Sequence, residues 1–529
     1  MPMNPRAQHV RDGDSPFVPI APQWRLAIIG CVLVYNMLAP GLAQAFADVP
    51  APLTIPRLWA EVLYQFLLFL PLFFYRRDYG WLHPLIFPAV FALAHNLARD
   101  PLGLLAPLLG TSDALAVEST SQALAALGDH QLALARLEYT GLKILALSAY
   151  YAGFFLSPSL PVPRFVAPQP REAALKAFAA IVFAGSIFVF YVRARGGISA
   201  HLLSFTEGRF RALGGDGPLM VLMGSASVAL VIWYALDPEA WRQPLFWASA
   251  VFAVPVGFLA GGSRSAVIEV LITLLAIWML RHRKLPAGRI GALAVTAFLF
   301  IGAAGLIRTQ WHAEAIDWGQ LTRVDVQELL AAGRQDALQR EANEAGLAVV
   351  ALGPEAAGFL WGKTYLAAVF FWVPRALWHD KPRGAGAYTA AALFRGQDIE
   401  EGVPRGGGIP PDGVAEAYWN FWIPGVVGIF LLFGTLHRWM ARLVAANAGV
   451  RAVWPIYIIV LLQFQPTTIA IVETLQQVIP GLALLFWMGA LGLRQQAARG
   501  RSMPRGRPPE PGRCGPAADA GAALAEPVR

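Results

Sequence analysis

Four charged residues stand where chemistry on a phosphate-bearing substrate would need them. They are Arg264 in GGSRSAVIEV, Arg375 and Lys381 in FFWVPRALWHDKP (370–382), and Glu416 in PDGVAEAYWNFW. A guanidinium fork binds phosphate oxygens two at a time, and an ammonium adds a compact positive charge. Such groups suit an anionic, phosphate-bearing ligand. Glu416 sits where a Gly/Pro-rich loop turns into an apolar run. Partial desolvation there suits a general base acting on a hydroxyl, although a first-turn carboxylate also serves simply as a partner of the helix dipole. Asp412 competes from a more exposed setting, Asp380 reads as an ion-pair partner of Lys381 or Arg375, and His379 reads as a lone loop histidine.

More cations flank the apolar runs: Arg193 and Arg195 in FYVRARGGISAH, Arg209 and Arg211 further on, and Arg308. Taken singly, each reads as a snorkelling end-of-helix arginine. Taken together, on a side where arginine is not expected, they favour an anionic ligand at the membrane surface, its prenyl chain held by apolar helices.

The elements that hold these residues follow from composition. The chain has 529 residues, of which 56% are hydrophobic and only 14% charged. Apolar windows long enough to cross a bilayer recur along it, so we expect an all-α polytopic membrane protein. About twelve spans are predicted, at roughly 25–46, 57–75, 80–98, 138–157, 173–192, 217–236, 243–260, 264–281, 289–307, 417–437, 452–470 and 476–493. Basic loops at 75–80, 281–289 and 437–451, with the basic tail from 494, fall on one side if residues 1–24 and the tail 494–529 are both cytoplasmic. The loop DPEAWR (237–242) runs against that trend. The large outside segment is then 308–416, with an interfacial stretch at 365–382 and a polar surface helix over 324–346; shorter outside segments are 99–137 and 193–216. Only the tail reads as disordered.

Several motifs carry no function. AGFLWGKT (357–364) imitates a phosphate loop, but Phe359, Leu360 and Trp361 obstruct the wrapping of backbone around phosphate. Ala43-Gln44-Ala45 resembles a signal-peptidase site; the long polar lead, Asn36 and Pro40 favour a retained first helix. IIGC before Cys31 has too short an apolar lead for a lipoprotein box. Cys31 and Cys514 form neither a disulfide framework nor a metal set, and the pI near 9.6 reflects membrane orientation rather than nucleic acid.

GGSRSAV heading a span, VPRALWHDKP in a long outer loop, and GVAEAYWNFWIPGVVG opening the next span together resemble the bacterial oligosaccharide repeat-unit polymerases of O-antigen and exopolysaccharide synthesis. GGISAHLLSFTEGRFR (196–211) adds to the likeness, which covers roughly 190–440. His379 stands where the family often has proline, and Phe421-Trp422 stands where a Phe-Gly pair is common. The resemblance implies a membrane glycosyltransferase fold of the GT-C-like polymerase and ligase kind, in the bacterial inner membrane. It implies transfer of a growing glycan from undecaprenyl diphosphate to a sugar hydroxyl on the next lipid-linked repeat unit, at the periplasmic face and without metal or nucleotide cofactor. Glu416, Arg264 and Arg375 are the expected catalytic residues; Lys381, Arg193, Arg195, Arg308 and Tyr418 are expected to bind diphosphate or substrate. Trp372, Trp378 and Trp419 join Tyr418 as aromatics available to sugar rings. Donor and acceptor lipids, membrane lipid, a chain-length regulator and a flippase are the expected partners. An O-antigen ligase is the nearest alternative; it would need an essential histidine, for which His312 and His379 are available. A flippase or other transporter is the alternative of a different class. It would keep its charges near mid-membrane, often with paired repeats. A purely structural assembly subunit leaves the Arg264, Arg375 and Glu416 set unexplained.

Overall fold

The computed structural model describes residues 16–38, 53–76, 79–99, 124, 126–204, 216–261, 264–293, 295–296, 300, 344–375, 377–394, 408–463 and 465–491. Among them there are helices and two isolated bridges, Pro19 with Gly80 and Phe165 with Leu491, and no strand. The helices are α1 (Pro22–Val32), α2 (Thr54–Phe73), α3 (Phe87–Arg99), α4 (Asp129–Leu156), α5 (Pro170–Ala194), α6 (Ile198–Ser204), α7 (Gly217–Leu236), α8 (Pro244–Gly261), α9 (Arg264–His282), α10 (Ala345–Ala357), α11 (Lys363–Val369), α12 (Ala385–Thr389), α13 (Gly413–Ala446), α14 (Val453–Leu462) and α15 (Thr468–Trp487).

Six of them, α2, α5, α7, α9, α13 and α15, are long and apolar enough to cross a membrane. The chain is therefore an all-α, multi-pass membrane protein. Helical backbone lies in each predicted window, although much of the ninth falls outside the described residues. The predicted 324–346 surface helix up to 343, the 99–137 segment from 100 to 123 and the tail from 494 lie outside them too, as do Arg209, Arg211, Arg308 and His312.

One helix, α7, is apolar on every side, and the run from Val228 to Leu236 is buried throughout. A helix of that kind belongs in the middle of the bundle. It packs among α5, α8, α9, α14 and α15 around Trp233, Ile277 and Tyr457. The second seam is α4 against α13. A Cβ at Gly153 would lie 2.0 Å from the Leu431 carbonyl oxygen, and one at Gly434 would lie 2.0 Å from that of Tyr150. Two glycines facing opposite backbones let these helices touch, the usual device of close-packed membrane helices.

Contacts sort the helix ends into two groups. Asn447, after α13, holds Phe165 and Pro163; Lys176 reaches Trp487; Arg281, closing α9, bonds Tyr234 and Pro238 near the end of α7. The opposite group joins the starts of α11, α13 and α15 at Glu416, with Tyr139 of α4 on Asp412 and the start of α7 against Phe371.

Two boundaries differ from the sequence reading. The predicted spans 452–470 and 476–493 are instead α14, which ends at Leu462, and α15, which begins at Thr468. Pro466 has no N–H to give a helix and pushes the residue before it out of helical geometry, while the Thr467 side chain accepts from Ala470 N at 3.1 Å and starts α15 afresh. The segment 308–416 is also more than an outside loop. Within it α10 is apolar, with Leu347, Ala348, Val349 and Val350 buried against α4 and α13.

Candidate functional site

The first turn of α13 carries the centre of the site. Asp412 caps the helix, accepting from Ala415 N at 2.9 Å, and it also takes the Tyr139 hydroxyl of α4. One turn on, Glu416 is only 1% exposed. Its Oε1 accepts from the Thr364 hydroxyl at 2.7 Å and its Oε2 from Thr468 N at 2.9 Å. Asn420, another turn along, donates to Thr364 Oγ1 at 2.8 Å. Asn420 Oδ1 and Thr468 Oγ1 are buried with no partner among the described residues. Thus one carboxylate ties together the start of α11, the first turn of α13 and the amino end of α15. The helix amino terminus is a natural place for a negative charge.

This geometry changes the role open to Glu416. The sequence reading expects a boundary carboxylate meeting a substrate hydroxyl. Here both oxygens are engaged and the group faces packed protein, which makes it a clasp at the α14–α15 break. The clasp is reinforced where a Cβ on Gly413 would meet Pro466 Cδ at 2.9 Å, and where the Tyr365 hydroxyl donates to Pro466 O at 3.4 Å.

The chain from α11 to α12 folds over this end of the bundle. Arg375 donates to Lys381 O at 2.8 Å, and Lys381 Nζ donates to the Phe371 and Val373 carbonyls, both at 3.0 Å. Neither cation meets a carboxylate among the described residues, so the expected pairing with Asp380 is not made. The two cations instead wrap the turn they belong to. Partial burial, then the nearby Arg375 charge, lowers the pKa of Lys381; burial, then Arg383, does the same to Arg375. Like charges are therefore held close together, an arrangement that an anion would relieve. The same turn touches the start of α7, where a Cβ on Gly217 would lie 3.1 Å from Phe371 O.

Beside it, Arg195 pairs with Asp216, which also accepts from the Tyr191 hydroxyl at 2.8 Å. That pairing is the plain structural role; Arg193, at the end of α5, is exposed. Arg264 opens α9, and its side chain lies outside the described residues. Tyr418 and Trp419 are buried, with Trp419 Nε1 donating to Gly358 O at 2.9 Å and Tyr418 donating to Glu138 at 3.3 Å. They offer no open face to a sugar, whereas Trp372 is 54% exposed. The false phosphate loop is engaged as well, since Leu360 N donates to Trp419 O at 3.0 Å.

The helix α13 kinks at Phe421-Trp422. Trp422 has φ 56° and ψ −150°, a region that suits glycine alone. The tryptophan thus coincides with a strained backbone. Since Trp422 is half exposed, little packing is lost with it, and we expect Trp422→Gly to raise stability by roughly 1 kcal/mol. Thermal unfolding in detergent checks this; a fall in the midpoint would show that the ring contributes more than the backbone loses.

The sequence reading passed over one further carboxylate. Glu269 of α9 accepts from Gln463 Nε2 at 3.1 Å and from Gln477 Nε2 at 2.8 Å, on the other flank of the α14–α15 break. An acid in the middle of VIEVLITLL, matched by glutamines in two later apolar windows, is the signal that was available.

The chain matches no family model, no characterised protein and no solved structure.

Proposed function

We propose that this chain is a repeat-unit polymerase of bacterial polysaccharide synthesis, extending a glycan carried on undecaprenyl diphosphate. The Glu416 end of the bundle would be its periplasmic side. What carries the reading is the cationic turn 371–382, which brings Arg375 and Lys381 together on backbone carbonyls, without a carboxylate partner for either among the described residues, and lies against the start of α7. A polyanionic headgroup is the ligand that such a turn recognises. In the reaction, Arg375 and Lys381 meet the charge that develops on the leaving diphosphate, with Arg264, Arg193 and Arg308 assigned to the same task on the resemblance. These cations supply the charge stabilisation for which a divalent ion is used elsewhere. Glu416 keeps the turn-bearing segment and the broken helix pair in register.

The test is binding. Purified protein is titrated with a polyprenyl diphosphate and with the polyprenol of equal chain length, in wild type and in Arg375→Ala/Lys381→Ala. Charge-assisted hydrogen bonds of about 1.5–3 kcal/mol each predict at least a tenfold loss of diphosphate affinity in the double variant, with polyprenol unaffected. Equal binding of both lipids by the wild type would contradict the assignment.

A second reading is favoured by the broken α14–α15 pair beside Glu269. Discontinuous helices with an intramembrane carboxylate are also how transporters hold a substrate or a coupling ion.

A further inference from the structure

The helix α14 has ten residues, about 15 Å of rise, or half the hydrocarbon thickness of a bilayer. The backbone that follows, at 463 and 465–467, is not helical. At membrane depth such backbone stands only against protein or beside a water-filled recess. One flank of the break meets protein, where Pro466 and Thr468 pack on Gly413 and Glu416. On the other flank Gln463 is half-buried, as is every residue of α15 from Ile471 to Val478.

Glu269 faces that second flank. Its two partners among the described residues are amide donors, one on each oxygen, and a carboxylate has about four acceptor positions. Glu416 carries the same number of donors, but it is buried, whereas Glu269 is only half-buried. Gln463 and Gln477 donate through their nitrogens, which leaves each carboxamide oxygen pointing elsewhere as an acceptor. Glu473 stands one turn before Gln477 on α15, near enough for its charge to act on Glu269. Carboxylate and carboxamide oxygens held together on this half-buried flank form a set that takes hydroxyl donors.

We infer that Glu269, held by Gln463 and Gln477, binds the sugar hydroxyl of the acceptor and takes its proton. This rests on the polymerase reading above and gives the base role to a residue other than Glu416. The hydroxyl oxygen attacks the anomeric carbon of the donor glycan. The bond from that carbon to the diphosphate oxygen breaks, its electron pair leaves with the polyprenyl diphosphate, and the hydroxyl proton passes to the Glu269 carboxylate. The two glutamines fix the carboxylate in one orientation and offer their oxygens to neighbouring hydroxyls.

The experiment uses the full chain in detergent with a diphosphate-linked repeat unit, following glycan length over time in wild type, Glu269→Gln, Glu269→Asp and Gln477→Leu. Loss of a general base predicts a 10²- to 10⁴-fold fall in kcat for Glu269→Gln, with KM and the melting temperature near wild type. Gln477→Leu, which removes one orienting amide, is expected to fall about tenfold. If Glu269→Gln does not fold, Glu269→Asp retains the charge at a shorter reach and is expected to lose rate without losing stability. Ladder formation within threefold of wild type in Glu269→Gln, or in a folded Glu269→Asp when the glutamine variant is lost, overturns the inference while leaving the polymerase reading intact. A wild type that makes no ladder, yet moves the lipid across vesicles in a Glu269-dependent way, overturns both and assigns Glu269 to transport.

Discussion

Glu416→Ala is expected to destabilise the protein by roughly 2–5 kcal/mol, one of the two largest effects of any single change considered. The alanine leaves the Thr468 N–H and the Thr364 hydroxyl without their acceptor in a region closed to water. Each such orphan costs about 1–3 kcal/mol. The consequence extends beyond one contact, because the same carboxylate joins three segments distant in sequence. Losing it frees the amino end of α15 from the first turn of α13 and lets the α11 segment lift. Glu416→Gln is expected to cost less, about 1–2 kcal/mol, since its amide oxygen can still serve Thr468 N while its nitrogen turns to Thr364 Oγ1. Unfolding midpoints in detergent, read alongside proteolysis of the 363–384 segment, check the order Ala worse than Gln. An alanine variant as stable as wild type would show that Glu416 is no clasp, and would reopen its candidacy as the base.

The second large effect belongs to Gly434→Val. Even the first carbon of a side chain at this site would lie 2.0 Å from Tyr150 O and 2.9 Å from Phe154 N, and both are backbone atoms of α4. A flexible side chain could swing aside, but a helix backbone moves only by separating the two helices. Overpacking costs about 1–3 kcal/mol where side chains can adjust, so here we expect 3 kcal/mol or more and poor recovery of folded protein. The Tyr150 hydroxyl with His437 Nδ1, at 2.8 Å across the same seam, would be pulled apart as well. Size-exclusion profiles and cysteine crosslinking between α4 and α13 report the separation. Retention of a wild-type profile would mean that the seam is looser than its glycines indicate.

Much of the architecture is legible in the sequence because the bilayer imposes a strong constraint: an apolar run in lipid must close its own hydrogen bonds, so hydropathy alone locates α2, α5, α7, α9, α13 and α15. The break between α14 and α15 was less legible. Hydropathy averaged over the whole predicted span 452–470 remains apolar, and only Pro466 with the two glutamines before it marks the interruption. Individual partners were harder still. Arg195 and Asp216, or Glu416 and Thr468, meet only after helices distant in sequence pack, and no local pattern encodes such a meeting. For the same reason Arg375 and Lys381 looked destined for Asp380, whereas the turn's own carbonyls lie closer. Trp422 was legible in part: a bulky residue where glycine is common proved to lie on a strained backbone, although the kink at Phe421 and Trp422 was not foreseen.

The most direct measurement of function is glycan extension by the purified protein in liposomes, supplied with an authentic diphosphate-linked repeat unit and neither nucleotide sugar nor any other enzyme. Polymerase function predicts a ladder of lengthening lipid-linked glycans that is lost in Arg375→Ala/Lys381→Ala despite intact folding. No lengthening by the wild type, together with movement of the unaltered lipid from one leaflet to the other, would contradict it and leave the cationic turn as the mouth of a transporter.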